Sequence, residues 1–397
     1  MGDFPQQRAA NDADPRGNFI FYCCKGHLQE LLEHYRLLSQ SKEKARSHEI
    51  ILYRANCKLR TTNYLLSLFM LRKSLVFSVA ILLAWVLSPI EETLSWGFFG
   101  HKRINKMAVF TLPPEMIGFY KKHIDYITDH AVDPDRRRNV NPDEAPRHYI
   151  DLDHYGAHPF DSIPKWWKNA VKKYSEDTLM AYGIVPWHIE KMVFRLTEAF
   201  KKEDLDYILR CSADIGHYIA DAHVPLHTTE NYNGQLTGQK GIHGFWESRL
   251  PELYADKYDY FVGRAVYIEK PIDAAWNAVK GSYAAKDSVL NFEKELNAKF
   301  PPDKKYSYET RGNQTLQVYS EEYSKAYNDL MNGMVERRMR ASILLVGSLW
   351  YTAWVNAGQP DLGRLDNKEI SDSLKKVQSE EEEMWKKGTL RSKGHDD

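Results

Sequence analysis

The sequence predicts an all-α, multi-helix protein that builds a metal site between its helices. Apolar residues recur at spacings of three and four, as they do on one face of a helix, in several long segments. Strand signals are sparse, because the sequence has no sustained alternation of apolar and polar residues and no Asn-Gly turn between apolar runs. The first helical segments are predicted at His101–Phe110, Pro114–His130, Pro186–Lys202 and Asp204–Ala222.

The C-terminal part of the chain continues this helical pattern. Ser320–Ala357 keeps its apolar periodicity up to Gly358, and Pro360 follows as a helix stop. Lys368–Lys387 is charged throughout, which predicts a solvated terminal helix followed by a disordered end. We therefore expect a helical domain over residues 96–365 and a charged helix with a tail over residues 366–397.

A short apolar run in the N-terminal part predicts export. Leu75–Leu87 contains 13 residues, which is too short to span a bilayer comfortably, and Arg72-Lys73 precedes it. With small residues at the exit, this is the pattern of a signal peptide over residues 70–95. The mature protein is then expected to be periplasmic or secreted, without a transmembrane anchor after processing.

The position of this signal predicts that translation begins at Met70. Residues 1–69 would then be an upstream extension of the gene model or a disordered leader. The alternative is a cytoplasmic tail with a signal anchor. Cys211 is the one cysteine of four that follows the predicted cleavage point, so we expect no intramolecular disulfide in the exported domain.

Charge gives no sign of a broad surface for polyanions. The chain balances 54 basic against 54 acidic residues, so any recognition of an anion should be local.

Two pairs of metal-ligand residues stand close together in the middle of the chain. His217 and Asp221 lie four apart in HYIADAHVPLH, and His243 and Glu247 lie four apart in HGFWE. Residues four apart share one face of a helix, so each pair can hold one ion. His227 lies between the pairs, and imidazole with carboxylate suits zinc.

Other polar residues in this segment are expected to have supporting roles. His223 lies off the face of Asp221 and is predicted to contact substrate or support a ligand, and Asp214 is predicted to orient a ligand imidazole. Further metal ligands are expected upstream, where the candidates are His101, His148, Asp129, Asp133 and Asp135.

So many ligands exceed what one zinc needs and predict several ions that share carboxylates. Such a centre suits hydrolysis of phosphate esters, because a pair of ions activates a water while another neutralises the departing oxygen. The sequence contains no Gly-x-Ser-x-Gly or Cys–His signature of a covalent nucleophile.

These motifs resemble the superfamily of zinc-dependent phospholipases C and fungal-type single-strand-specific nucleases. HYIADAHVPLH followed by HGFWE carries the resemblance, and it extends back to Trp96-Gly97…His101 and to His148-Tyr149-Ile150-Asp151. It thus covers about 150 residues, from the predicted cleavage site to Glu247. The ligands arrive in the order of the family and with similar spacing.

The resemblance implies a trinuclear zinc site. Trp96 would be the mature N-terminus and would ligate one ion through its amine and carbonyl oxygen, together with His101. Cleavage before Trp96 would thus create a ligand, because a free α-amine can lose its proton to a metal at neutral pH. His227, His243 and Glu247 would hold the most open ion.

Asp221 would bridge two ions. One is the ion that Trp96 and His101 hold, and the other is also held by His148, His217 and an upstream aspartate. Asp133 is favoured as this aspartate because it lies 15 residues before His148, and Asp129 and Asp135 are the alternatives.

The resemblance therefore implies a zinc-dependent hydrolase of phosphoric ester bonds, in which Asp133 and Asp221 are catalytic. Glu247 favours the phospholipase C branch, whose substrate is a phospholipid head group. The short spacing from Trp96 to His101 and the tryptophan in HGFWE favour the branch of single-strand-specific endonucleases and 3'-nucleotidases. A non-catalytic or di-iron helical metal-binding protein is the remoter alternative, and no stable protein partner is implied.

Overall fold

The computed structural model describes residues 97–387, except residues 139, 312 and 313. The predictions for residues 1–69, for the signal peptide at 70–95, for Trp96 and for the tail after residue 387 lie outside the described residues. The α-helices are α1 (Gly97–Ala108), α2 (Pro114–Lys122), α3 (Ile124–Asp129), α4 (Asp133–Arg137), α5 (Pro159–Ser162), α6 (Trp167–Tyr174), α7 (Glu176–Tyr182), α8 (Val185–Lys201), α9 (Leu205–Ala222), α10 (Ile242–Gly244), α11 (Leu250–Tyr254), α12 (Pro271–Lys299), α13 (Glu321–Met331), α14 (Met334–Asn356) and α15 (Asp372–Lys387).

Short helical turns connect many of these helices. A π-helical turn covers Phe245–Arg249, directly after α10. The 3₁₀ turns lie at Val109–Thr111, His130–Val132, Ala145–Arg147, Leu152–Tyr155, Pro225–Thr228, Ala255–Lys257, Pro302–Lys304 and Leu362–Leu365. The described part is thus mostly helical, as the periodicity predicts. None of its helices combines the length and apolarity that crossing a membrane requires.

The helical stretch predicted over residues 320–357 forms two helices. Asn332 and Gly333 both adopt a left-handed backbone, with φ of 48° and 71°, and they divide this segment into α13 and α14. A left-handed residue after the last turn of a helix ends it, because the following peptide can no longer continue the hydrogen-bond ladder. The segment 114–130 is likewise divided at His123 into α2 and α3.

One antiparallel hairpin was not predicted. Its strands are β1 (Tyr306–Arg311) and β2 (Gln314–Tyr319), and Tyr306 pairs with Tyr319. Aromatic and polar residues alternate in β1, and Gly-Asn follows it in the sequence, which is a short hairpin signal.

Helix α9 lies at the centre of the fold and carries part of the candidate site. The Asp204 side chain accepts a hydrogen bond from the Tyr207 backbone N–H and so caps its first turn. The helix packs against α8, α14 and α1 and is buried on almost every side. A helix covered all round belongs to the core, where each buried Leu or Ile contributes about 1.5–3 kcal/mol.

Gly216 sets the distance between α9 and α1, and we expect Gly216→Ala to destabilise the protein by roughly 1–3 kcal/mol. A Cβ at this position would lie 1.7 Å from Oδ1 of Asn105, whose amide donates to the backbone carbonyls of Ile127 and Ala213. Urea denaturation measures the change. Gly118→Ala is the matched control, because that exposed helical glycine has nothing within 4 Å and alanine should be neutral or stabilising there. Equal stability of the two variants would contradict this packing.

Helix α15 forms near the predicted place, but it is not solvated on all sides. Leu374 is buried, and one face of the helix packs against α4.

Candidate metal centre

Eight of the predicted ligand side chains, counting Asp135 among the upstream alternatives, lie buried around the ends of several helical elements. His101 is on α1, Asp135 on α4, and His217 with Asp221 on α9. The other four lie in or directly after short elements that are packed into the core. His148 follows the turn Ala145–Arg147, His227 lies in the turn Pro225–Thr228, His243 lies in α10 and Glu247 lies in the π-helical turn. Their atoms form three groups suited to metal binding: His101–His217–Asp221, Asp135–His148–His217 and His227–His243–Glu247.

Asp221 joins these groups, because its two oxygens face different imidazoles. Oδ2 lies 2.9 Å from Nδ1 of His148 and 3.2 Å from Nε2 of His217. Oδ1 lies 3.5 Å from Nε2 of His101 and 3.9 Å from Nδ1 of His227. A carboxylate in this position can bridge two ions, as the resemblance implies for Asp221.

The structure places Asp135, and not Asp133, beside the ligand histidines. The preference for Asp133 as the upstream ligand is therefore wrong as regards its position. Oδ1 of Asp135 lies 3.5 Å from Nε2 of His217 and 3.7 Å from Nδ1 of His148. The Asp133 carboxylate instead lies 2.7 Å from Nδ1 of His130 and accepts a hydrogen bond from Arg136 at 3.2 Å. The two side chains leave α4 in different directions because residues two apart on a helix do not share a face.

Asp129, the other alternative, is also outside the centre. Its side chain is exposed and pairs with Lys102 at 2.8 Å.

His227, His243 and Glu247 come together as the resemblance implies. Oε2 of Glu247 lies 3.1 Å from Nε2 of His243 and 3.6 Å from Nε2 of His227. The predicted regular helix over HGFWE is wrong in detail, since a π-helical turn begins at Phe245, but the two ligand candidates still meet. π-helical turns within α-helices are frequent at functional sites.

Backbone carbonyls orient two of the imidazoles. Nδ1 of His217 donates to the Ala131 carbonyl at 2.9 Å, and Nδ1 of His227 donates to the His148 carbonyl at 2.7 Å. When the ring is neutral, this bond keeps the proton on Nδ1, and Nε2 of each ring presents a lone pair to the centre. This arrangement is typical of metal-binding histidines.

Glu144 is a buried residue that the sequence analysis missed. Its Oε1 lies 3.8 Å from Nε2 of His148 and accepts a hydrogen bond from the Tyr218 hydroxyl, while Arg137 and Arg147 pair with its other oxygen. Glu144 stands four residues before His148, a spacing that could have indicated it.

Asp214 and His223 contact residues other than the predicted ligands. Asp214 pairs with Arg137 at 2.8 Å, whereas the prediction gave it a ligand imidazole as its partner. His223 is buried, and its Nδ1 donates to the Ile219 carbonyl at 2.7 Å. Burial and the charge of Arg338 lower the pKa of His223 to about 3, so it is a neutral residue of the helix end.

Several buried polar atoms of the centre suit a cation. Both oxygens of Asp135, both oxygens of Glu247 and both ring nitrogens of His101 make no hydrogen bond of good geometry among the described residues, although His217 and His243 lie 3.5 Å and 3.1 Å from the two carboxylates. A buried carboxylate with incomplete hydrogen bonding is costly, and a cation between the groups would offset that cost. The donor set of imidazole nitrogen and carboxylate oxygen therefore fits zinc.

The electrostatics of the centre also favour positive charge. Burial raises the pKa of Asp221, but His217 and His227 outweigh this effect and hold it well below its usual range. Burial likewise lowers the pKa of His217, yet Asp221 and Asp135 hold it well above its usual range. Burial and His217 lower the pKa of His101 to about 4, which leaves a neutral ring able to bind metal.

Removal of divalent ions is expected to lower the melting temperature by about 10 °C. An ion present at 1,000 times its Kd contributes roughly 4 kcal/mol to a folded protein, and the stability lost here would come from buried carboxylates left without a counter-charge. Calorimetry before and after chelation checks this. Zinc should restore the transition and magnesium should not, since magnesium prefers oxygen ligands. A melting temperature that chelation leaves unchanged would exclude a structural role for bound metal.

Comparison of the chain with protein-family models and with curated protein sequences gives no match.

Proposed function

We propose that the protein is a zinc-dependent phosphodiesterase of the superfamily that its motifs resemble. The observation that supports this most is the continuity of the three ligand groups, because two of them share His217 and the Asp221 oxygens face members of all three. A single structural zinc needs four ligands, so eight buried ligand side chains favour several ions.

The groups indicate which residues would hold each ion. Asp135, His148, His217 and Asp221 would hold one ion, and His227, His243 and Glu247 a second. His101 and Asp221 would hold the third, with the predicted N-terminal Trp96. Bound zinc supplies Lewis-acid stabilisation of phosphoryl oxygens and lowers the pKa of water.

The chain's own residues have distinct tasks in this proposal. The carboxylates of Asp135, Asp221 and Glu247 bring a formal charge of −3, which three dications exceed, so the loaded centre attracts phosphate. If one Asp135 oxygen holds the ion, the other, which makes no hydrogen bond among the described residues, would be able to accept a proton from water. Ala131 and the His148 backbone keep the His217 and His227 rings in the ligating tautomer.

A phospholipid head group is the favoured substrate, because Glu247 occupies the position where the nucleases carry aspartate. Single-stranded nucleic acid is the second candidate, favoured by the short Trp96-to-His101 spacing. Trp246, the tryptophan of HGFWE that also favours the nucleases, is fully buried and therefore packs in the core.

Exported protein translated from Met70 provides the test. Its N-terminal residue and metal content are determined first, and it is then assayed in parallel on phosphatidylcholine vesicles, single-stranded DNA and RNA. A Trp96 terminus, about three zinc ions per chain and hydrolysis of one substrate class are expected. Iron in place of zinc, or no phosphodiester cleavage at full metal loading, would contradict the proposal and favour a di-iron or non-catalytic protein.

A further inference from the structure

The C-terminal helix α15 has one partly covered face, and this helix packs against α4. Leu374, Gln378, Glu381 and Trp385 are buried or half-buried, while the residues between them are mostly exposed. Spacings of four, three and four keep these residues on one side of a helix. The resemblance ends at Glu247 and assigns no role to this helix.

Gln378 connects α15 to the segment that carries Asp135. Its amide Nε2 donates to the Tyr126 hydroxyl at 2.7 Å and lies 3.0 Å from Nδ1 of His130 and 3.4 Å from Oδ2 of Asp133. His130 and Asp133 are themselves 2.7 Å apart. One side chain of α15 therefore contacts α3, the turn after it and the first residue of α4.

Trp385 connects the same helix to the start of α1. Its ring lies 5.6 Å from that of Phe98, and the Arg136 guanidinium stands 5.4 Å from the Trp385 ring and 5.5 Å from the Phe98 ring. Such cation–π contacts are attractive, and more strongly so where water is excluded. Arg136 directly follows Asp135, and Phe98 lies three residues before His101.

Glu381 extends the connection towards His148. It pairs with Arg210 at 2.9 Å and approaches Arg137 at 3.9 Å. Arg137 in turn pairs with Glu144, which faces the His148 ring.

Helix α4 needs such support. It has five residues, and so short a helix is not stable by itself. No hydrogen bond among the described residues orients the Asp135 carboxylate, so the backbone of α4 sets its position.

We propose that Gln378 and Trp385 of α15 are positioning residues for the metal centre, which hold α4 and the start of α1 so that Asp135 and His101 converge on the bound ions. This inference concerns metal binding and does not depend on which phosphodiester is cleaved.

The test compares full-length Gln378→Ala and Trp385→Ala with wild type by competition for zinc with a chromogenic chelator. Loss of a residue that supports a ligand typically weakens metal binding 10- to 100-fold, so at least one zinc is expected to bind about 10-fold more weakly. The increase in melting temperature on adding zinc should shrink as well. Trp385→Phe keeps an aromatic ring and should recover most of the zinc affinity.

Met384→Ala is the matched control, because that neighbouring side chain is exposed on the same helix and should leave zinc affinity unchanged. Two results would overturn the proposal. The first is an equal fall in the melting temperatures of metal-free and zinc-loaded variants with unchanged zinc affinity, which is what a merely structural contact would produce. The second is a loss of zinc affinity in Met384→Ala as large as that in Trp385→Ala.

Discussion

Asp221→Asn is expected to remove at least one zinc ion and to lower kcat/KM on the preferred phosphodiester about 1,000-fold. The substitution keeps the shape of the side chain but removes its charge and replaces one of two oxygens by an amide nitrogen. Both oxygens point at ligand candidates. One faces His148 and His217, and the other faces His101 and His227. Losing a metal-based stabilisation of several kcal/mol corresponds to about three orders of magnitude in rate.

Metal analysis and initial rates on the same purified sample measure both effects. Asp287→Asn is the control, because that aspartate is exposed and, within the described part of the chain, its ion pair is with the neighbouring Lys286. Full zinc content with wild-type rates in Asp221→Asn would show that Asp221 does not bridge ions.

Asp135→Asn is expected to lower activity about 100-fold, and Asp133→Asn less than about tenfold. Only the Asp135 carboxylate lies beside His148 and His217. An amide at position 133 can still accept the hydrogen bond from Arg136, so the orientation of α4 should largely persist.

Parallel kinetics and zinc titration of the two variants check this order. Both aspartates lie on the same short helix, so general destabilisation would affect the two variants alike. If Asp133→Asn were the more damaging change, the position of α4 described above would be wrong.

Local patterns explain why much of the centre follows from the sequence. His217 with Asp221 and His243 with Glu247 could be paired from a spacing of four residues, since the geometry of a helical turn brings such residues together whatever surrounds them. The central position of α9 could be expected in the same way from its continuous apolar periodicity.

Two features of the fold could not be predicted from local patterns of this kind. The division of α13 from α14 rests on the left-handed backbone of Asn332 and Gly333, which apolar periodicity does not report. The hairpin of β1 and β2 is short, and its alternation of aromatic and polar residues is weak beside the helical signals around it.

The sequence by itself thus determined the helical class, the residue types of the centre and the ligand pairs within single turns. Tertiary structure decided which aspartate joins them, because spacing to His148 does not reveal the direction in which α4 presents its side chains. It also decided that α15 covers α4 and Phe98, although its composition predicts a solvated helix. Both outcomes depend on contacts between residues distant in the chain, and local propensity and charge pattern carry no information about such contacts.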